Sequence, residues 1–230
     1  MTSRQGEWSL VGDATRERVR QAVVPVARVL SAAGLSADAL TTGGLLVSLT
    51  AALLAASGAW LAAGVVVVVG ALFDLFDGAV ARVRDTVSPF GGFLDSTFDR
   101  IAEAAVYVGL AAGLLGPAGA AVIFPTVAGW TPGQTVAILA VLALAASQLV
   151  SYTRARAEGI GLHASVGVAP RPERIALIAA GLVLQPFAGW TLGAALAVIT
   201  VLSLVTVGQR IRHVRRLTRL NEPDRVGPIT

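Results

Sequence analysis

The sequence predicts an all-α integral membrane protein with six transmembrane helices, an amphipathic juxtamembrane helix before them, and both termini in the cytoplasm. Hydrophobic residues make up 55% of the 230 positions and charged residues only 14%, whereas soluble domains carry about 25% charged residues. Apolar stretches suited to membrane-crossing helices recur along the chain. The 18 basic residues, all of them arginine, are confined to alternate connections between those stretches, with the flanks of these connections, and to the two ends.

The N-terminal segment, residues 1–33, is polar at first and then amphipathic. Arg16, Arg20 and Arg28 alternate with valines at helical spacing, which is typical of a helix that lies in the lipid headgroup layer. A tail helix exposed to water is the alternative, and a cleavable signal peptide is disfavoured because the segment has no compact apolar centre. We therefore predict a juxtamembrane helix within this segment.

Six apolar stretches follow within residues 34–215, which we interpret as the membrane domain, and residues 216–230 form a predicted cytoplasmic tail. The stretches are Leu40–Ser57, Trp60–Phe76, Phe93–Leu115, Gln134–Tyr152, Ile175–Phe187 and Leu192–Val207. A helix needs about 20 residues to cross the hydrocarbon core of a bilayer. The fifth stretch is shorter, and we expect Arg174 and the residues before it to extend it at the interface.

The connections after the first, third and fifth stretches contain no arginine, whereas those after the second and fourth do. Positively charged loops stay on the cytoplasmic side of a membrane. Both termini and the arginine-bearing connections are therefore predicted to face the cytoplasm, in a multi-pass protein of the plasma membrane with lipids as its neighbours. A five-helix topology would scatter the arginines over both sides.

Cysteine is absent from the chain, and its two histidines are His163 and His213. The lack of cysteine excludes disulfides, thiolate metal sites and cysteine nucleophiles. Two histidines so far apart do not indicate a zinc site. We expect no nucleic-acid partner.

Four aspartates, Asp74, Asp77, Asp95 and Asp99, lie in one stretch around the second connection. Helical positions three or four apart share a face, so the first two form one pair of carboxylates and the last two form another. In the six-helix topology the first pair lies near the cytoplasmic end of the second helix, and the other pair opens the third. All four are therefore predicted to converge at one depth on the cytoplasmic side.

Acidic residues within a membrane domain are costly and usually functional. Four carboxylates at close range repel one another, and Mg²⁺ or Mn²⁺ relieves that repulsion because hard divalent cations prefer oxygen ligands. Two such ions can hold the attacking and leaving oxygens of a phosphoryl transfer. The pattern thus predicts a two-metal site, with Arg82 one turn beyond Asp77 and able to contact a phosphate oxygen.

Two other interpretations stay open at this point. Each aspartate could pair with an arginine as a structural contact, or the four could bind ions in a transporter or in a non-catalytic metal-binding membrane protein. Transport sites usually lie near the membrane midplane between repeated halves of the chain. This sequence shows no internal repeat and places its carboxylates at one membrane face, which favours catalysis.

The spacing D-x2-D-G-x2-A-R-x8-G-x3-D-x3-D, which runs from Asp74 to Asp99, resembles the signature of the CDP-alcohol phosphotransferase family at every position. The resemblance implies six transmembrane helices, a homodimer, and transfer of a substituted phosphoryl group from a CDP-linked lipid to an alcohol with release of CMP. It implies that Asp74, Asp77 and Asp95 bind the metal ions. Asp99 is expected to touch the second ion and to act as the general base.

The same resemblance implies a set of residues that bind the CDP-linked lipid. They are Gly78, Ala81, Arg82, Ser88 and Gly91. Family members often carry Pro-Asn or Pro-Asp just before the first transmembrane helix, where this chain has the sequence S-A-D-A around Asp38. Asp38 is expected to keep the nucleotide-binding role of that position.

A second polar tract, at the cytoplasmic ends of the fourth and fifth helices, predicts a site for a phosphate group. Ser151 and Arg154 lie one turn apart on the fourth helix. Arg171 and Arg174 fall at the start of the fifth, where the helix dipole favours anions, and Arg210 on the sixth can complete a ring. The tract reads S-Y-T-R-A-R-A-E and then R-P-E-R, and it resembles that of the phosphatidylinositol phosphate synthases of actinobacteria, a branch of the same family.

This second resemblance implies that the donor is CDP-diacylglycerol, that the acceptor is inositol 1-phosphate, and that the five residues just named hold the acceptor's phosphate. Phosphatidylglycerophosphate synthase and archaetidylinositol phosphate synthase are the alternatives within the family. The arginines of the last helix are interpreted instead as topology determinants that touch anionic lipid headgroups. They are Arg212, Arg215, Arg216 and Arg219.

Overall fold

The computed structural model describes residues 13–127 and 129–220, and within these ranges all regular secondary structure is helical. The α-helices are α1 (Asp13–Ala32), α2 (Ala37–Ala56), α3 (Trp60–Val83), α4 (Pro89–Leu115), α5 (Pro132–Glu158), α6 (Arg171–Leu184) and α7 (Thr191–Leu220), and a short 3₁₀ helix (Pro117–Ala121) follows α4. The predicted all-α fold class is confirmed. The first residues of the predicted N-terminal segment and most of the predicted tail lie outside the described residues.

Four of these helices, α2, α3, α5 and α7, are long and apolar enough to cross a membrane. Helix α4 has 27 residues but carries charged side chains from Asp95 to Glu103, and α6 has only 14 residues. Both therefore lack the long uncharged run that marks a membrane-spanning helix. The membrane character of the chain agrees with the prediction, and membrane crossing by α4 and α6 stays a prediction.

Several helices continue beyond their apolar stretches into polar sequence at the predicted cytoplasmic end. Helix α3 continues to Val83, α5 to Glu158 and α7 to Leu220. Propagation adds one hydrogen bond for each residue that joins a helix, so polar residues extend the helix until the backbone turns away, as it does at Asp85 with its φ of 56°. Arg82 and Arg154 consequently project from helices rather than from loops.

One large apolar core joins helices α2 to α7. Its fully buried members include Tyr107, Leu110, Leu114, Leu182, Leu192 and Leu196. Helix α4 approaches α2 so closely that a Cβ atom at Gly109 or Gly113 would overlap the carbonyl oxygen of Ala52 or Ala55, respectively. Small residues permit this kind of contact between membrane helices, and here it fixes the aspartate-bearing α4 beside α2.

Helix α1 packs across the start of α2 and the end of α3. Val23 and Ala27 are buried in a second, smaller core with the α3 residue Val80. The Arg84 side chain adds a polar link, because its Nε and Nη2 atoms donate to the hydroxyl and carbonyl oxygens of Ser31 at 2.9 and 2.5 Å. The predicted helix is therefore present, and its place in the headgroup layer stays a prediction.

The connection between α5 and α6, residues 159–170, is fastened to α7. The backbone N–H of Val168 donates to the Gln209 side chain at 3.2 Å, and that of Ala169 donates to the Thr206 hydroxyl at 3.0 Å. Both contacts lie just before the first residue of α6. They hold the N-terminal turn of α6, and with it Arg171, in a defined position.

Candidate active site

Asp77 is buried in α3, and its carboxylate accepts two hydrogen bonds. The Thr41 hydroxyl on α2 donates to Oδ2 at 2.8 Å, and the backbone N–H of Gly78 donates to Oδ1 at 2.5 Å. Donors of this kind stabilise a buried carboxylate and fix its orientation. The role of Thr41 was not predicted from the sequence.

Arg171, the first residue of α6, lies between two of the predicted metal ligands. Its Nη1 atom is 2.6 Å from the Asp74 Oδ2 atom on α3 and 2.9 Å from the Asp99 Oδ1 atom on α4. One guanidinium therefore joins carboxylates from two different helices. Its Nε atom is buried and has no hydrogen-bond partner in the described part of the chain, so Arg171 retains a donor for a bound anion.

Asp95 lies one turn before Asp99 on α4, and both carboxylates line one polar cavity, which is described below. Across residues 13–127 and 129–220, no three acidic or histidine side chains already converge on a point where they could hold a metal ion. Asp77 is hydrogen-bonded to Thr41, and Asp74 and Asp99 are paired with Arg171. The predicted set of four ligands is therefore not assembled as the side chains stand.

The chemistry of these donors nevertheless fits a divalent cation. All four predicted ligands are carboxylates, and oxygen ligands are those preferred by Mg²⁺ and Mn²⁺. Two of them, Asp74 and Asp99, already share one positive charge, because the Arg171 guanidinium lies within hydrogen-bond distance of both. In the structure, the positive charge between α3 and α4 is that of Arg171.

The residues predicted to bind the CDP-linked lipid lie at the neighbouring ends of α2, α3 and α4. Arg82 is exposed, and a Cβ atom at Gly78 would come within 3.4 Å of its Nη1 atom. The Ser88 hydroxyl accepts a hydrogen bond from the Gly91 N–H at 3.0 Å and thereby caps α4. The other two members, Ala81 on α3 and Asp38 in the first turn of α2, are half-buried and exposed, respectively.

A large polar cavity, enclosing about 1000 Å³ together with the open solvent at its mouth, brings the predicted acceptor residues together with Asp95 and Asp99. The predicted residues that line it are Ser151, Arg154, Arg171, Arg174 and Arg210. Arg100 lines the same cavity, although the sequence analysis attributed only topology to it. Its position directly after Asp99 could have indicated a role at the site.

The arginines of this cavity differ in their exposure and in how many of their N–H groups already donate to other groups of the protein. Arg154 is exposed and pairs with Glu158 at 2.8 Å. Arg210 is only 4% exposed and donates to the carbonyl oxygens of Val150 and Val166.

Arg174 is 1% exposed and donates to Glu103 and to the Ala169 carbonyl oxygen. Arg210 and Arg174 therefore hold the framework of the cavity together, whereas Arg154 and Arg171 are better placed to meet a ligand. The predicted role of all five in binding phosphate stays a prediction.

A second, mostly apolar cavity, with room inside for only a few water molecules, lies on the other side of Arg171, between α2, α3, α4 and α6. Asp74 and Glu103 are the carboxylates that line it, beside apolar residues such as Val67 and Ile178. Within the described residues, Arg171 is the one side chain that lines both cavities. The carboxylates thus lie where an apolar space meets a polar one, an arrangement suited to a lipid with a phosphorylated headgroup.

Comparison with known proteins identifies the family. The model of the CDP-alcohol phosphatidyltransferase family matches residues 35–206. The chain is 38% identical over 205 residues to a phosphatidylinositol phosphate synthase of Mycobacteroides abscessus, covering 87% of each chain. It is 34% identical to an archaetidylinositol phosphate synthase of Methanothermobacter thermautotrophicus, covering 86% of this chain and 91% of that relative.

Two solved structures of the Mycobacterium tuberculosis phosphatidylinositol phosphate synthase PgsA1 share the fold at 32% sequence identity. The structure with CDP-DAG bound has a TM-score of 0.71, and the match covers 90% of this chain and 98% of that chain. The structure in complex with manganese and citrate has a TM-score of 0.72, and the match covers 90% of this chain and 93% of that chain.

Proposed function

The chain belongs to the CDP-alcohol phosphatidyltransferase family, and from that premise we propose that it transfers a phosphatidyl group from CDP-diacylglycerol to inositol 1-phosphate and releases CMP. The observation that carries this proposal is the polar cavity. It places Asp95 and Asp99 beside the five residues predicted to hold the acceptor's phosphate. Relatives named phosphatidylinositol phosphate synthase, at 35% to 38% identity, support the same acceptor.

The proposed setting is the plasma membrane, with six transmembrane helices, both termini in the cytoplasm and the active site facing the cytoplasm. The membrane domain would cover residues 34–215, after a juxtamembrane helix within residues 1–33 and before a tail at 216–230. The arginine-bearing connections support this orientation. A homodimer is proposed from the family resemblance.

CDP-diacylglycerol would lie with its headgroup at the polar cavity and its acyl chains in the surrounding lipid. The exposed apolar side chains of α2, α3 and α4 suit acyl chains, and the exposed ends of α3 and α4 suit the nucleotide. Asp38, Gly78, Ala81, Arg82, Ser88 and Gly91 are the residues proposed to contact the CDP-linked lipid. Arg82 and the hydroxyl of Ser88 are the donors in this set that suit phosphate oxygens.

Asp74, Asp77, Asp95 and Asp99 are proposed to hold two divalent ions, Mg²⁺ or Mn²⁺. Bound metal would neutralise charge on the diphosphate and on the departing CMP. The manganese in the structure of the M. tuberculosis relative supports a divalent ion. Thr41 would orient the Asp77 carboxylate, because its hydroxyl donates to Oδ2 at 2.8 Å and such supporting contacts tune metal ligands.

Asp99 is proposed to take the proton from the acceptor hydroxyl. That oxygen attacks the phosphorus that carries the diacylglycerol, and the bond from this phosphorus to the oxygen bridging the two phosphates breaks. CMP leaves with the bridging oxygen and its electron pair. Asp99 suits the role of base because it lines the polar cavity, where an acceptor would enter.

The acceptor's phosphate would be bound by the side of the cavity opposite Asp95. Arg154 and Arg171 are the principal candidates, since one is exposed and the other keeps a donor without a partner in the described part of the chain. Ser151 would add a hydroxyl. Arg174 and Arg210 border the same space but also support its walls.

Archaetidylinositol phosphate synthase is the second candidate, because the M. thermautotrophicus relative of that name is 34% identical. Phosphatidylglycerophosphate synthase is a third candidate. A transporter or a non-catalytic metal-binding membrane protein is the alternative outside catalysis.

The purified protein should be incubated with Mg²⁺ or Mn²⁺ and CDP-diacylglycerol, and CMP release measured with inositol 1-phosphate, glycerol 3-phosphate or free inositol. We expect release with inositol 1-phosphate. Release with glycerol 3-phosphate alone would refute the acceptor, and no release with any alcohol, including with an ether-linked donor, would refute catalysis.

A further inference from the structure

Glu103 and Arg174 form a buried ion pair next to the site, and the proposed function gives Glu103 no role. The Glu103 side chain is 3% exposed and that of Arg174 is 1% exposed. Arg174 Nε lies 2.9 Å from Glu103 Oε1, and its Nη2 lies 3.0 Å from Glu103 Oε2. The contact is therefore bidentate, the geometry in which Arg and a carboxylate bind most specifically.

Stability alone is a weak reason for such a pair. Removing two charges from water costs several kcal/mol for each ion, and apolar residues of the same volume are often as stabilising or more so. A buried pair that is retained therefore suggests that it specifies a geometry. The geometry in question is the start of α6.

The pair repeats, one helical turn further along, the contact between Asp99 and Arg171. Glu103 follows Asp99 by four positions on α4, and Arg174 follows Arg171 by three on α6. Arg174 also donates from Nη1 to the carbonyl oxygen of Ala169 at 3.0 Å, just before the helix begins. A single guanidinium thus joins α4, the first turn of α6 and the connection that precedes it.

Helices α4 and α6 are linked across the site by these long side chains. Helix α6 packs against α3 and α7, and α4 packs against α2 and α5. The space between α4 and α6 opens into the two cavities. The Glu103–Arg174 contact thus bridges α4 and α6 one turn away from the contact between Asp99 and Arg171.

On the basis of the proposed function, we propose that Glu103 is a positioning residue for the binding of the acceptor's phosphate. Through Arg174 it holds the first turn of α6 so that Arg171 lies at the boundary between the polar and the apolar cavity. Without the negative charge of Glu103, the buried Arg174 cation would lose its carboxylate partner, and Asp95 and Asp99 line the same cavity as Arg174. Arg174 would then compete with Arg171 for these carboxylates.

Glu103→Gln is the primary test, because it keeps the shape of the side chain and removes the charge. We expect KM for inositol 1-phosphate to rise at least tenfold, whereas KM for CDP-diacylglycerol changes less than twofold. The double variant Glu103→Gln/Arg171→Ala should have the same acceptor KM as Arg171→Ala alone, because Glu103 acts through Arg171. An acceptor KM in the double variant that equals the product of the two single increases would overturn the proposal.

The control is Tyr107→Phe, which removes a buried hydrogen bond to Ser147 one turn further along α4. It should lower the melting temperature and leave both KM values unchanged. If Glu103→Gln fails to fold, Glu103→Asp keeps the charge and Arg174 but shortens the side chain, so that it can no longer hold the first turn of α6 at the same distance. This variant should still raise the acceptor KM at least tenfold and leave KM for CDP-diacylglycerol nearly unchanged; unchanged acceptor KM would overturn the proposal.

A binding measurement separates this inference from the proposed function. Inorganic phosphate should bind to the metal-loaded wild-type protein by calorimetry, and at least tenfold more weakly to Glu103→Gln. If no acceptor supports CMP release, the proposed function is refuted. Weaker phosphate binding by Glu103→Gln than by the wild-type protein would still support the role of Glu103. Normal activity with equal phosphate affinity in both proteins would overturn the role of Glu103 alone.

Discussion

The Nη1 atom of Arg171 lies 2.9 Å from the Oδ1 atom of Asp99. The residue proposed to bind the acceptor's phosphate is thus paired with the residue proposed to activate the acceptor's hydroxyl. A phosphorylated acceptor that enters the polar cavity would compete with Asp99 for this guanidinium. Binding of the acceptor would thereby release the carboxylate that it needs as a base.

Replacing Arg171 should therefore impair use of the acceptor more than use of the donor. A hydrogen bond to a charged group contributes about 1.5–3 kcal/mol, which corresponds to roughly 10–150-fold in affinity. We expect Arg171→Ala to raise KM for inositol 1-phosphate within that range and to leave KM for CDP-diacylglycerol nearly unchanged. Arg212→Ala, at an exposed position on α7, is the matched control. Equal rises in both KM values would show that Arg171 is structural.

The hydroxyl of Thr41 should support metal binding by Asp77. Thr41→Val keeps the shape of the side chain and removes the donor that lies 2.8 Å from Asp77 Oδ2. Loss of a contact that orients a metal ligand typically lowers metal affinity about 10–100-fold, and we expect this for Mn²⁺ binding followed by electron paramagnetic resonance. Thr42→Val is the control, since the Thr42 hydroxyl bonds to the Asp38 carbonyl oxygen of its own helix. Similar affinities for the two variants would contradict the role of Thr41.

The contact between α4 and α2 should depend on Gly109. A Cβ atom there would overlap the Ala52 carbonyl oxygen, and overpacking of this kind typically costs about 1–3 kcal/mol. Gly109→Ala is expected to lower the melting temperature of the detergent-solubilised protein. Gly208→Ala is the control, because no atom lies within 4 Å of the added Cβ and alanine favours a helix. A melting temperature unchanged by Gly109→Ala would refute the close approach.

The absence of cysteine from the sequence makes the six-helix topology directly testable. Single cysteines can be introduced at exposed positions of the five connections: Ser57, Thr86, Thr126, Ser165 and Phe187. An impermeant maleimide added to intact cells should label Ser57→Cys, Thr126→Cys and Phe187→Cys from outside. It should label Thr86→Cys and Ser165→Cys only after the membrane is opened. Failure to label position 187 on intact cells would contradict the crossing by α6, and labelling at position 165 would contradict the cytoplasmic site.

The sequence alone predicted the all-α fold, the family and seven of the residues that line the polar cavity, but not Arg100. Apolar stretches and the aspartate spacing are local patterns, so a single chain displays them directly. The all-α class and the family are confirmed. Helix ends were predicted less well, because polar residues extend α3, α5 and α7 beyond their apolar parts.

The contacts that organise the site could not be predicted in this way, because they join residues far apart in the chain. Thr41 and Asp77 are separated by 36 positions, and Glu103 and Arg174 by 71. No local pattern pairs such residues. A carboxylate at position 103, one turn after Asp99 within an apolar run, was the signal that could have indicated Glu103.

The most direct test of the proposed reaction is to follow phosphate-labelled inositol 1-phosphate into lipid in the presence of CDP-diacylglycerol and Mg²⁺ or Mn²⁺. We expect label to enter the organic phase in equal amount to the CMP released. Asp99→Asn should lower this rate by at least about 100-fold, the usual minimum contribution of a general base. Asp85→Asn is the control and should leave this rate unchanged. Its position is exposed and has a φ of 56°, which asparagine tolerates. CMP release without label in lipid, or full activity of Asp99→Asn, would contradict the proposed reaction and its base.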